Sequence, residues 1–461
     1  MGYAKASKRV FPTARHNPDE LFSSRDLLRL IVPLVIEQFL AMFIGMADTL
    51  MVSSISESAV SAISLVDQIN VLLIQLFSAM ATGGAVVAAQ YLGKRDRESA
   101  CTAAKQLLYV TLLLSTVIAA ASILFCDRLL TACFGSLSAE TMAYCRTYLI
   151  LSALSYPALA AYNGGAALLR AMRNSRASMY TSILMNVVNV SGNALLIYGF
   201  GMEVAGAAIA SLVSRVMGAM VMVRMLLQPS LPVHLVRPAH PEWDGGMIRR
   251  IFRLGIPNGL ENSMFQVGKL LVAGMVSTMG ESIIAANAVS NNVAGMCNIV
   301  GNSIGLGMIT VIGQCVGAGD SGQARKYTRR LMAAAYASNA VMYVFLLCFT
   351  KEIAGIFHLS PNGISAAVQV LRTYAVFATL IWPASFALPN ALRAAGDARF
   401  TMTVSTVSMW LFRIAACYVF VGALHMGLPG VWRAMYLDWA ARSLCFVLRY
   451  RGGKWLTKRV V

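Results

Sequence analysis

Four carboxylates stand inside stretches that are otherwise apolar: Glu37 and Asp48 in one run, Asp67 in the next, and Glu261 well past the middle of the chain. An ionisable group in a bilayer-crossing segment costs a few kcal/mol, so each must be held by a partner or used to carry charge. Glu37 and Asp48 are 11 residues apart, which brings them back to within about 20° of one helix face at an axial separation of about 16 Å. Asp48 falls near the end of its run and Asp67 near the start of the following one, so the two can share a depth. Two carboxylates close together in a dry site do not ionise independently, and such a pair can load and unload a proton near neutral pH. The alternative for Asp48, Asp67 and Glu37 is a hydrogen-bonded acid that packs helices, and the residue types leave it open.

Other polar groups extend this set. Lys269 lies deep in a later apolar run, where an ammonium needs a partner or must change with the working cycle. Asp438 and Arg442 are spaced i, i+4 and are expected to form a buried structural pair. The 26 methionines fit either ordinary packing or an adaptable wall for varied ligands. The nine cysteines lack the paired spacing of a zinc site or disulfide framework and read as small buried hydrophobes. Five histidines, at 16, 234, 240, 358 and 425, form no metalloprotease-type pair, and there is no phosphate loop. A membrane enzyme is therefore the weakest of the readings, and no cofactor is expected.

The elements that position these groups follow from composition. The 461 residues are 57% hydrophobic and only 13% charged, with a mean hydropathy of +0.65, far from the soluble norm of roughly 25% charged. Apolar stretches long enough to cross a bilayer recur along the chain and predict spans at about 27–53, 61–89, 103–125, 142–166, 177–199, 204–227, 248–275, 284–313, 328–349, 366–392, 399–422 and 428–449. The fold class is all-α integral membrane with twelve spans. The first run, with Pro33, Glu37 and Asp48 inside it, reads as a retained span and not as a signal peptide. The net charge of +18 would suit nucleic acid only with a basic soluble module behind it, which the sequence does not offer. With the N-terminus in the cytosol, only Arg128, Arg146, Lys351 and Arg372 fall on the outer side, and Arg215, Lys269, Arg413 and Arg433 lie within spans. All other Lys and Arg are then cytosolic, so both termini are expected there and the cell membrane is the expected location.

The second half repeats the first. At a shift of 224 residues Pro33, Glu37, Gln90, Gly93 and Asp96 fall on Pro257, Glu261, Gln314, Gly317 and Asp320. Arg146-Thr147-Tyr148 matches Arg372-Thr373-Tyr374, and Leu169-Arg170-Ala171 matches Leu392-Arg393-Ala394. The expected division is a cytosolic arm (1–26), an N-terminal six-helix bundle (27–227), a linker (228–247), a C-terminal six-helix bundle (248–450) and a tail (451–461). Six spans per copy is an even number, so the copies enter from the same side and are related by a pseudo-twofold axis along the membrane normal, the parallel-repeat plan of secondary transporters. Glu37 recurs as Glu261, but Asp48 aligns with Val272 and Asp67 with Asn291. Features present in one half only break the symmetry, and Asp48 is the favoured coupling acid. Pro157, Pro383 and Pro389 should bend their spans, as fixed curvature or as part of gating.

These residues together resemble the multidrug and toxic compound extrusion family of cation-coupled efflux transporters. The resemblance is carried by Gly45-Met46-Ala47-Asp48-Thr49-Leu50-Met51-Val52, by Ala89-Gln90-Tyr91-Leu92-Gly93 with its repeat Gly313-Gln314-Cys315-Val316-Gly317, by Leu169-Arg170-Ala171 and by the run Gly201 to Ala208. It implies two bundles in a V and export of amphipathic, often cationic compounds against inward H+ or Na+. Lipids and small substrates are the partners, and a monomer is expected. It also implies that the fifth span supports the first-span aspartate, with Asn189 matching the family's asparagine. Asn193 stands where members of that type often carry an acid, one negative charge fewer. A Na+ near Asp48 or Glu261 is the one metal these acids would take. The second half's candidate polar network is Glu261, Lys269 and Asn291. The nearest rival is a lipid-linked oligosaccharide flippase, which would need a strongly cationic cavity for pyrophosphate.

Overall fold

A computed structural model describes residues 20–135, 137–235, 242–357, 359–458 and 460–461. Most of the expected arm and part of the expected linker, at 236–241, lie outside them. The described chain holds twelve spans, labelled α1 to α12. In the first half these are α1 (Ser24–Ser53), α2 (Glu57–Gly93), α3 (Arg97–Leu124), α4 (Ala139–Leu154 with Tyr156–Ala171), α5 (Ser175–Asn193, ending in a wider π turn at Ala194–Gly199) and α6 (Glu203–Leu226). The second half has α7 (Gly245–Val276), α8 (Glu281–Cys297 with Ile299–Gly317), α9 (Ser321–Cys348), α10 (Pro361–Phe386 with Leu388–Ala394), α11 (Ala398–Ser408 with π turns at Met409–Ala415 and Tyr418–Ala423) and α12 (Gly427–Arg451). Among the described residues nine of these meet the length and hydropathy of a span unaided; α4, α7 and α12, which are divided or carry charges within them, do not.

Helix starts follow from local chemistry. Ser23 and Asp26 form a reciprocal capping box at α1, and Asp96 and Asp320 cap α3 and α9 through the N–H of Ser99 and Gln323. The duplication extends to the backbone. The π turns Ala194–Gly199 and Tyr418–Ala423 stand 224 residues apart. Left-handed backbone recurs at matching places, where glycine in one half faces a bulkier residue in the other: Gly201 and His425, Gly427 and Glu203, Gly319 and Arg95, Gly396 and Arg173.

Both ends of the described chain lie on one face of the molecule. Phe22 exchanges hydrogen bonds with Tyr327 near the start of α9, and the tail N–H of Val460 donates to Gln90 at the end of α2. On this termini face the apolar core mixes the halves: Val86, Leu107 and Met222 pack with Ile251 and Ile309, and Leu27 and Leu30 with Met308 and Leu392. The first helix of each half thus begins inside the core of the other. Toward the opposite face each core belongs to one half alone, around Val66 and Leu149 in one and Tyr374, Trp432 and Trp439 in the other.

The seam itself is built on glycine and glutamine. A Cβ on Gly93 would overlap the Gln314 carbonyl, and one on Gly317 the Gln90 carbonyl, so α2 and α8 cross with backbones in contact. Gln90 Nε2 donates to the Ala394 carbonyl and Gln314 Nε2 to the Ala171 carbonyl, each at 2.8 Å. Arg173 closes the set by donating to Gln314 Oε1 at 2.5 and 2.9 Å. Moving away from the termini, α2 and α7 touch at Gly83 and Gly255, then at Leu76 and Gly259, and last by hydrogen bond at Gln75 and Asn262, 3.5 Å apart. Beyond that point Gln68, Leu72 and Lys269 are exposed, and among the described residues no further hydrogen bond joins the halves. The protein is closed on the termini face and parted on the other.

Candidate functional site

In the parted region of the N-terminal half, α1, α2, α4, α5 and α6 bring the acids together with amides, phenols and one guanidinium. Asp48 Oδ1 accepts from Asn193 Nδ2 at 2.6 Å. Asp67 Oδ1 accepts from Asn70 Nδ2 at 3.0 Å and from the Tyr148 hydroxyl at 3.3 Å. Asn70 is fixed in turn by the Tyr156 hydroxyl, which donates to its Oδ1 at 2.9 Å. Asn193 lies in the last helical turn before the π segment of α5, so the wider turn begins at the residue after the aspartate's partner. The Asp67 charge acts on Asp48, and the Arg215 charge acts on both acids. Arg215 reaches in from α6 and donates to Ser155 Oγ at 2.7 Å, at the break that divides α4. With both carboxylates ionised, two negative charges against one guanidinium would leave a charge that a single monovalent cation balances.

The other expected site residues divide differently. Asn189 turns to α6, donating to Ser211 Oγ at 3.1 Å, so the direct support of Asp48 is Asn193. Glu37 lies apart from Asp48 and Asp67, paired with Arg170 at 3.3 Å and accepting from Ser178 Oγ at 2.7 Å. Its counterpart Glu261 pairs with Arg393 at 2.6 Å. The two ion pairs are the same pair in each half, because Arg170 and Arg393 occupy matching places in the repeated Leu-Arg-Ala.

The expected trio of Glu261, Lys269 and Asn291 is not brought together. Asn291 is exposed and bonds back to the Asn287 carbonyl on its own helix. Glu261 also draws Arg442 to 3.9 Å, and that guanidinium stacks over Phe386 at 4.7 Å. The expected Asp438–Arg442 neighbours make no direct ion pair: Asp438 accepts from Ser408 Oγ at 2.6 Å and Arg442 donates to the Ser385 carbonyl, while the Asp438 charge still acts on Arg442 together with that of Glu261. Lys269, Arg413 and Arg442 gather around the ring of Phe265, at 5.1, 5.4 and 5.9 Å from its centroid. The C-terminal half is thus rich in positive charge where the N-terminal half is negative. Sequence reasoning left Arg215, Asn70 and Tyr156 without a role. Asn70 was one turn from Asp67, and Arg215 was a cation within a span, but which face each presents is decided by packing.

Twelve spans in two like halves, closed at one face around polar groups within the bilayer, define a membrane transporter of the parallel-repeat type. The MatE family model matches residues 33–195 and again 257–419, and the chain belongs to this family, the multidrug and toxic compound extrusion transporters. The uncharacterized transporter YisQ of Bacillus subtilis is 29% identical over 97% of this chain and 98% of its own. The probable multidrug resistance protein NorM of Thermotoga maritima is 24% identical over 95% and 94%. A solved outward-facing structure of a multidrug resistance MATE family transporter of the MOP superfamily superposes with a TM-score of 0.87 at 20% identity, covering 94% of this chain and 96% of that one.

Proposed function

We propose that the protein is a secondary antiporter in the cell membrane, acting as a monomer and exporting amphipathic compounds in exchange for an inward cation, H+ or Na+, by alternating access. The carrying observation is the acidic cluster, Asp48 held by Asn193 and Asp67 by Asn70 and Tyr148, which is present in the first half alone. Neutralising its charge changes the balance of forces in a half that is free to move on its open side, which links ion binding to the direction the cleft faces. The charge bias of the loops supports cytosolic termini, and with that orientation the parted face is the outer one. Multidrug resistance proteins among the relatives support an efflux reading.

Proteoliposome transport of a fluorescent cation under an imposed pH gradient, then a Na+ gradient, tests this. One gradient should drive movement, and Asp48→Asn should lower the driven rate by about tenfold or more, as loss of a buried charge does. Undiminished transport by Asp48→Asn would reject the assignment of the coupling acid. A parent protein indifferent to both gradients would reject antiport itself. The cationic group around Phe265 favours a second reading, transport of compounds with an anionic group and, at its limit, of pyrophosphate-linked lipids. Competition by anionic amphiphiles that Lys269→Ala abolishes would select it.

A further inference from the structure

On the termini face a cavity of about 350 Å³ lies where α7, α11, α12 and the C-terminal tail meet, remote from the Asp48 cluster. Three cations line it: Arg253 of α7, Arg399 in the first turn of α11 and Lys458 of the tail. All three are exposed, and among the described residues their side chains have no ion pair or hydrogen bond. A fourth, Arg449, is already engaged, donating to the Asp397 carboxylate at 2.7 and 3.2 Å.

That engagement changes the start of α11. Asp397 is its N-cap residue, yet its carboxylate makes no capping bond. At the matching place in the first half, Asn174 caps α5 by accepting from the Ala177 N–H. The first turn of α11 therefore offers uncapped N–H groups beside three unpaired cations, a combination that takes an anion. Phe400, over which Arg449 stacks at 4.6 Å, adds an apolar wall.

We propose that this cavity binds the phosphate of an anionic membrane lipid. Arg253 lies eight residues into α7, about 12 Å along the helix, and Arg399 is the second residue of α11. Both residues stand near the termini-face ends of their spans, where basic pockets between helices collect anionic lipids. The volume suits a headgroup. The other basic surface, Arg325, Lys326, Arg329 and Arg330, is a row on one helix, with Lys326 already paired to Glu20. The site also touches the seam. Lys458 lies against Gly396, and two residues on, Val460 donates across the halves to Gln90 at 3.0 Å. A bound phosphate pins the tail there and favours the form closed on this face.

The test uses the full chain, stripped of lipid in uncharged detergent, with native mass spectrometry and thermal unfolding as readouts. Phosphatidylglycerol, phosphatidylcholine and inorganic phosphate are added separately. Phosphatidylglycerol should be retained and raise the unfolding temperature, and phosphatidylcholine should not. Arg253→Ala/Arg399→Ala should weaken retention by about tenfold or more, while Arg325→Ala/Arg329→Ala should leave it nearly unchanged. All four side chains are exposed, so the lipid-free variants should unfold like the parent, and Lys458→Ala gives an independent lesion. Equal loss in both double variants would overturn the site in favour of general charge attraction. Stabilisation by inorganic phosphate equal to that by phosphatidylglycerol would overturn the lipid as its ligand. Neither outcome depends on transport, so the proposal stands or falls apart from the antiport reading.

Discussion

Arg215 is the residue that turns two acids into a site with a defined charge. Its guanidinium acts on both Asp48 and Asp67 while hydrogen-bonded to Ser155. Arg215→Gln should lower stability by about 1–3 kcal/mol, the range for a lost hydrogen bond to a charged group with its partners left buried. Adding Asp67→Asn should restore most of the loss in thermal unfolding of the purified protein; a further fall in the double variant would show that Arg215 is not the counter-charge. At this scale the sequence is readable by type and not by direction. Carboxylates in an apolar run announce themselves, and the one-half pattern of Asp48 and Asp67 sets them apart from Glu37 and Glu261. Asn189 and Asn193 share a helix face four residues apart, so which of them meets Asp48 depends on about one turn of axial offset, and that Glu261 of α7 comes within 3.9 Å of Arg442 is decided by tertiary packing.

Helices were the most legible elements, because a bilayer demands long apolar runs, and among the described residues nine of the twelve spans supply one unaided. Their ends extend past the apolar residues, to Ser24 and Gly93 for example, since polar caps and glutamine contacts prolong them beyond the hydrocarbon. The interruptions were less visible. Pro157 and Pro389 do mark divided helices, but α8 breaks at Asn298 with no proline, where the amide takes the Tyr343 hydroxyl at 2.5 Å and donates to Tyr374 at 2.8 Å. The π turns of α5 and α11 have no signature of their own in the sequence, and only Ala194–Gly199 and Tyr418–Ala423 recur between the halves. Element crossings can be tested at Gly317. Gly317→Val should drive α8 from α2 on the termini face, because the obstructing atoms are backbone. Cysteines introduced along the buried stretch of α2 there should become reactive to a soluble maleimide; unchanged protection would show that the crossing tolerates a side chain.

For the whole molecule, the arrangement of cores explains how two halves can rock without coming apart. The termini-face cores are shared and the opposite ones are private, so opening the closed face must exchange shared apolar contacts and the two glutamine bonds for new ones. Gln90→Ala/Gln314→Ala removes both bonds together with those that Gln314 accepts from Arg173 and Gln90 from Val460, on the order of several kcal/mol together, and should shift spin-label distances across the termini face toward longer values. An unaltered distribution would mean that apolar contact alone holds the seam. The duplication was plain in the sequence, but the exchange by which α1 and α7 each begin in the other half's core was not, because like residues pack equally well within a half or across halves.

The matched left-handed positions give this protein its own repair manual. Arg95 and His425 hold a backbone shape that costs a residue with a Cβ about 1–2 kcal/mol, and the sister copy solves the same bend with glycine at 319 and 201. Grafting that solution, as Arg95→Gly with His425→Gly, should raise the melting temperature without touching the acids or the seam. A lower melting temperature would show that the arginine and histidine side chains contribute more than the backbone strain costs. Ancient gene doubling has left in each half a spare blueprint, written in dihedral angles, from which a sturdier version can be assembled.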